Sequence, residues 1–293
     1  MKKFQVIADS TCDVQETLRL KYELDYAKML FTIGDKEYQA DLDWQEITPK
    51  EYYDMIRAGE RSYTGLVPTA EFEAIFTKYL EEGMDILYIS CSSKLSGTIN
   101  NAKLISHELL DNYPNRKIIC FDSLRSNYAQ GLMAIDAAKM ALEGKSIEET
   151  VDYLTNTRLN YQVYATVGTL DSLKKSGRIK ASAAFFGNIM GVKPIILSDA
   201  IGNNFAFKKV KGRKASLDEL VNIIKSKMID PNSNTLHIEH ADCLEDALYI
   251  KKNLENHVKN IEISYLGPII GATIGPNSIT CSFYGEEVKL VGE

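Results

Sequence analysis

The sequence predicts an α/β protein in two domains: an N-terminal doubly wound parallel sheet over residues 1–159, then an α+β domain with a mixed or antiparallel sheet over residues 160–293. Three observations predict it. Short apolar runs alternate with amphipathic stretches through the first half, the pattern of parallel strands joined by crossover helices. In the second half, VKPIILSD (192–199) and NFAFKKVKG (204–212) follow each other across a polar turn, which reads as an antiparallel pair. A chain of 293 residues is also long for a single hydrophobic core.

In order, FQVIAD (4–9) is the first strand and ends in the polar turn DSTCD (9–13). EYYDMIRAGE (51–60) and PTAEFEAIFTKYLEEG (68–83) carry apolar residues at helical spacing, the second closed by glycine. DILYIS (85–90) is a strand, a helix spans Ser96 to Leu110, KIICFDS (117–123) is a strand, and a helix over 126–143 stops at Gly144. The domain boundary falls near 157–161. Beyond it come the strand YQVYATVG (161–168), two short helices with a glycine break over 169–191, and the antiparallel pair. Helix 216–228, strand TLHIEH (235–240), helix 243–256 and strands IEISYLG (261–267) and ITCSFYG (279–285) complete the chain.

The net charge of −6 argues against a nucleic-acid protein, which needs a basic face. MKKFQVIADST opens as a strand, not a leader, and no segment nears the ~18 apolar residues that span a membrane. Five scattered cysteines without a CxxC pair fit free thiols in a reducing cytoplasm better than disulfides or zinc.

In wound parallel sheets, ligands sit beyond the carboxyl ends of the strands. Three such ends are polar here: DSTCD, SCSSKLSGT (90–98) and DSLRSN (122–127). If a helix begins near Ser96, its free N–H groups and positive dipole end, with the Ser93 and Ser96 hydroxyls, suit a carboxylate or phosphate. A plain serine N-cap explains the same residues equally well. Within DSTCD, Asp9 reads as a helix cap or, with Asp13, as an acid pair or Mg²⁺ site.

Other signatures fail. EGKS (143–146) lacks the upstream glycine of a phosphate loop, and Ser172 to Lys175 satisfies S-x-x-K without its companion motifs. His237 and His240 point to opposite faces of a strand, against a metal pair. KKVKGRK (208–214) is a solvated hairpin end or a docking patch for an acidic partner. LGPIIGATIGPNSI (266–279), with three glycines and two prolines, reads as a rigid segment that allows close backbone approach. With it, the stretch 181–197 offers Phe185, Phe186, Ile189 and Met190, and the Gly/Pro segment offers Ile274, as ordinary core or as the lining of an apolar tunnel.

Taken together, ADSTCD, SCSSKLSGTINNA, GTLDSLKKSGRI, ASAAFFGNIMGVKPII and GPIIGATIGP follow the order and spacing of the DegV family, which the chain resembles along essentially its whole length. The resemblance implies two α/β domains with a lipid at their junction. It implies a bacterial fatty-acid-binding protein whose long-chain fatty acid is phosphorylated to an acyl phosphate by a separate fatty acid kinase. The binding subunit is then not the catalyst, needs no cofactor or metal, and touches membranes peripherally for lipid exchange. Carried over by position, Ser93 contacts the carboxylate, with Ser96 and Gly97 beside it. In TGLVPT (64–69) either Thr64 supplies the family's threonine, with an extra residue before Pro68, or Gly65 falls there and the hydroxyl is lost. Arg178 and Arg213 match basic positions that support the site or dock the partner. Thr273 stands where many relatives carry histidine, so it can hydrogen-bond a carboxylate without bringing a charge. The rival reading is an enzyme acting on a small acyl or phosphorylated substrate at the same anion site, with Asp9, Asp13 and Asp122 as its only candidate acids and bases.

Overall fold

A computed structural model of the chain describes residues 2–169, 173, 176–180 and 191–292. Its first layer is an all-parallel sheet of β1 (Phe4–Asp9), β2 (Asp25–Ala27), β6 (Asp85–Ser90) and β7 (Ile118–Asp122), in the order β2-β1-β6-β7. Both faces are covered, which is why these strands run apolar without alternation. On one face Ile7, Ile86 and Tyr88 pack with Phe72 and Phe76 of α3 (Thr69–Glu81) and Ala102 and Ile105 of α4 (Thr98–Asn112). On the other, Val6, Leu87 and Ile89 meet Tyr128, Met133 and Ala134 of α5 (Asn127–Leu142). Gly131 lets α5 settle on the turn after β1, since a Cβ there would lie 2.4 Å from the Cys12 carbonyl oxygen. Helix α1 (Glu16–Tyr22) follows that turn.

The sequence reading missed a small antiparallel sheet, β4-β3-β5, built from β3 (Leu30–Ile33), β4 (Lys36–Gln39) and β5 (Ser62–Thr64). Helix α2 (Pro49–Arg57) lies between β4 and β5 in sequence, started by a capping box between Thr48 and Glu51. The sheet fixes Thr64 opposite Phe31, and the Gly65 N–H donates to the Leu30 carbonyl at 2.7 Å.

Seven strands form the second large sheet: β8 (Tyr161–Thr166), β9 (Ile179–Lys180), β10 (Val192–Ser198), β11 (Asn204–Lys211), β12 (Thr235–His240), β13 (Asn260–Tyr265) and β14 (Ile279–Tyr284), in the order β13-β12-β14-β8-β10-β11-β9. It is mixed: β12–β13 and β11–β9 are parallel, while β10–β11 is the antiparallel pair expected from sequence. Helix α6 (Ile147–Thr157) comes before this sheet. The GKS serine, Ser146, caps it by accepting from the Glu149 N–H, so it is a helix start and not a phosphate loop. Helices α7 (Arg213–Lys227) and α8 (Leu244–Leu254) bury Leu217, Leu220, Ala247 and Ile250 against Leu236 and Ile238. The Gly/Pro segment read as a rigid piece contains a helix, α9 (Pro268–Ile274). Pro268 sits in its first turn, and Gly267 and Gly275 flank it as caps.

The two large sheets share a core, in which Ile7 and Phe31 join Ala165, Ile196 and Ile269. Arg125, fully buried, stitches them together by donating to the carbonyls of Tyr161 (2.6 Å) and Asp199 (2.9 Å). Burial lowers its pKa to about 10, still above neutral pH. Ser92 adds a second link, its hydroxyl donating to the Gly202 carbonyl at 2.7 Å. Among the described residues, no helix is long and apolar enough to cross a membrane.

Candidate functional site

The carboxyl ends of β1, β6 and β7 converge on one region, as expected for strands of a wound sheet. Asp9 organises it. Its Oδ1 accepts from the Thr11 N–H (3.1 Å) and hydroxyl, and its Oδ2 accepts from the Tyr88 hydroxyl (2.9 Å) and the Cys91 N–H (2.8 Å). Four donors on one buried carboxylate make it a structural tie between the ends of β1 and β6. The Cys91 thiol is pushed well above its ordinary value by burial and by the charge of Asp9, so it stays protonated.

The serine-rich turn divides its work. Ser92 faces inward to Gly202, whereas Ser93 is exposed and only its N–H is engaged, on Asp122 Oδ1 at 3.2 Å. Helix α4 starts at Thr98, two residues later than Ser96, and Ser96 pairs its hydroxyl with that of Thr98 at 2.9 Å. The displaced helix start turns Ser96, not Ser93, toward the interior.

Beyond these strand ends lies a cavity of about 780 Å³ when its open mouth is included. The loops after β1, β6 and β7 contribute Thr11, Cys91, Ser96 and Asn127, and the end of β5 and the loop after it contribute Thr64 and Leu66; the seven-stranded sheet contributes Ala165, Ile196 and Thr280, and α9 adds Ile269, Ile270, Thr273 and Ile274. Most of the wall's surface is apolar. Thr64, Leu66, Ser96, Arg178 and Thr273 are partly or fully exposed, whereas Thr11, Asn127 and Thr280 are buried. Among the described residues of the wall, Arg178 is the one that bears a full charge. Thr64, Arg178 and Thr273 also border an outer groove, open to solvent, which runs along Arg57 and Arg61.

The structure therefore brings Thr64, Ser96, Arg178, Thr273 and Ile274 to one cavity. Gly65 lines it as well, so the loop keeps the threonine hydroxyl and the glycine side by side. Thr273 donates to the Ile269 carbonyl one turn back at 3.2 Å. Ser93 and Gly97 are outside the wall. Arg213 is elsewhere, paired with Asp246 (2.7 Å) and donating to the Asn277 carbonyl (2.8 Å); it ties α7 to α8 and to the segment after α9. Phe185, Phe186, Ile189 and Met190 fall outside the described residues. The run 208–214 spans the end of β11 and the start of α7 rather than a hairpin tip, with Lys208 paired to Glu219.

No candidate acid or base lines the described wall. Asp122 Oδ1 accepts from the Ser93 and Leu124 N–H groups, and Asp13 faces away into the seam between the sheets. His237 and His240 do take opposite sides of β12. His237 stacks on Tyr128 at 3.7 Å and is held neutral by burial at a pKa of about 3, and His240 packs on Tyr265. Among the described residues, no group of three or more His, Cys, Asp or Glu side chains could hold a metal ion. Sequence reasoning missed Thr11, Asn127 and Thr280, which reach the cavity from segments far apart in the chain. Only the polar strand ends DSTCD and DSLRSN signalled the first two.

Comparison with known proteins matches residues 3–286 to a family described as uncharacterised proteins of the DegV family. A DegV domain-containing protein of Clostridium perfringens is 34% identical over 288 residues, covering 98% of this chain and 99% of its own. The crystal structure of a DegV lipid-binding protein of Thermotoga maritima superposes with a TM-score of 0.83 at 26% identity, over 98% of this chain and all (100%) of its own. A fatty-acid-binding DegV family protein of Thermus thermophilus gives a TM-score of 0.85 at 23% identity, over 97% of this chain and 99% of its own, a likeness of fold.

Proposed function

Because the chain belongs to the DegV family, we propose that it binds one long-chain fatty acid in the cavity between its two sheets. The single observation that carries this reading is a cavity of mostly apolar surface whose one fully charged described residue is a cation, the exposed Arg178. An amphiphile with an anionic head and an apolar tail complements both features. The carboxylate lies at Arg178, with the hydroxyls of Thr64 and Ser96 as donors and Thr273, whose own proton goes to the Ile269 carbonyl, beside them, and the tail runs inward past Ile196, Ile269, Ile270 and Ile274.

The magnitudes divide the roles. About 0.8 kcal/mol per buried CH₂ gives a sixteen-carbon tail roughly 10 kcal/mol of gross transfer free energy, against an association cost of about 4–15 kcal/mol. Each head-group hydrogen bond adds about 1 kcal/mol, or about 1.5–3 kcal/mol where a charge takes part. The tail thus supplies most of the affinity, and the head group fixes which end stays at the mouth.

A carboxylate held at an open mouth remains reachable by a second protein. We infer that this protein presents it to a fatty acid kinase that makes the acyl phosphate, with the outer groove along Arg57, Arg61 and Arg178 as the approach. Delipidated protein should bind palmitate or oleate saturably at one site. Incubation with ATP and the cognate kinase should yield acyl phosphate only when this protein is present. Saturable binding without kinase-dependent product would refute the partnership and leave the binding role standing.

A further inference from the structure

Two buried carboxylates from different sheets meet behind the cavity wall. Asp13 ends the turn after β1 in the left-handed region (φ 52°) and is 6% exposed, and Glu239 of β12 is fully buried. No donor meets either oxygen of Asp13 or Oε1 of Glu239 at full hydrogen-bond geometry, and the backbone N–H groups of Gly267 beside Asp13 and of Tyr128 beside Glu239 offset only part of their charge. Two ionised acceptors facing each other in a buried site are strongly unfavourable, and one proton between them turns repulsion into a hydrogen bond. The titratable groups facing the pair are Asp9 and Cys12 beside Asp13, Tyr53 of α2, Tyr128 of α5 and Cys281 of β14; none is a cation.

The pair touches the elements that wall the cavity. Glu239 Oε2 accepts from the Thr280 hydroxyl at 2.8 Å and from Asn127 Nδ2 at 3.5 Å, and both residues line the cavity. Asp13 lies against Gly267, the cap of α9, so closely that a Cβ there would be 2.0 Å from its Oδ1. Helix α9 carries Ile269, Ile270, Thr273 and Ile274 of the wall.

We propose that Asp13 and Glu239 share one proton across the seam, and that this proton positions α9, Asn127 and Thr280 so that the cavity holds its lipid. The link to lipid rests on the fatty-acid reading above; the shared proton does not. Burial, then the negative charge of Glu239, pushes Asp13 well above the usual carboxylate range, and burial lifts Glu239 to about 7. The folded state therefore keeps a proton that the unfolded chain releases above about pH 4, so stability falls as pH rises above about 4 and goes on falling until the pair has lost its proton. Loss of the proton sets two charges against each other behind α9 and loosens the wall.

The test compares wild type with Glu239→Gln and Asp13→Asn, whose amides supply a donor without titrating. In denaturant titrations of delipidated protein, the wild-type unfolding constant should rise at least tenfold from about pH 5 to about pH 8, and less than about twofold in either variant. Infrared spectra of wild type should show a buried protonated-carboxyl stretch at acidic pH that is lost at alkaline pH, a readout that needs no variant. Release of a fluorescent long-chain fatty acid should quicken about tenfold over the same window in wild type only. Equal pH slopes in wild type and variants, or no protonated carboxyl at acidic pH, would overturn the shared proton. A stability difference without a release difference would overturn its role in lipid retention. No saturable lipid binding at any pH would refute the fatty-acid reading, while the unfolding and infrared measurements still decide the proton.

Discussion

At the scale of single residues, Ser93 and Ser96 are three positions apart, and which one meets a ligand depends on where helix α4 begins. With the start at Thr98, Ser96 lines the cavity and Ser93 faces solvent. Ser96→Ala should weaken fatty-acid binding about fivefold, the worth of one neutral hydrogen bond, and Ser93→Ala should leave it unchanged. Competition with a fluorescent fatty acid measures both. Arg178→Gln removes the wall's charge and should weaken binding about tenfold at low salt, with the gap to wild type narrowing as salt is raised. A gap that does not change with salt would mean that Arg178 acts through packing rather than charge.

At the scale of elements, Gly131 on α5 is a case where two effects oppose. Alanine gains about 1 kcal/mol of helix propensity over glycine, but its Cβ would lie 2.4 Å from the Cys12 carbonyl oxygen and 2.6 Å from Val14 Cγ2. Overpacking of that kind costs about 1–3 kcal/mol, so Gly131→Ala should be net destabilising in urea titrations; a gain in stability would show that the helix can shift. Helices α3, α4 and α5 and strands β1, β6, β8 and β10 through β12 were legible in the sequence from their apolar runs and the glycines that close them, although α4 begins two residues later than its serines suggest. The small sheet was not, because β3, β4 and β5 are only three or four residues long and SYT carries no apolar alternation. Helix α9 was hidden by its own caps, since Gly267, Pro268 and Gly275 read as breakers when they in fact mark its ends.

At the scale of the molecule, the cavity exists only because two sheets share one core, and the residues that hold them together were the least legible. The polar strand ends located the region by a general rule of wound sheets. Neither Glu239 nor the stitch made by Arg125 carries a local signature, because Asp13 and Asn127, which face Glu239, and the carbonyls that Arg125 holds come from the far side of the seam, and only the topology brings them together. Arg125→Met should cost about 2–4 kcal/mol, since it leaves buried carbonyls without donors, and an unchanged denaturation midpoint would show that water replaces the guanidinium. The central claim is that the seam between the sheets holds one fatty acid. Its most direct measurement is mass spectrometry of the protein as purified, native and then after denaturing extraction. The account predicts one long-chain fatty acid per chain in the native spectrum and the free acid in the extract, both lost when Ile270→Trp fills the cavity; a fatty-acid-free protein that also fails to take up added palmitate or oleate would contradict it.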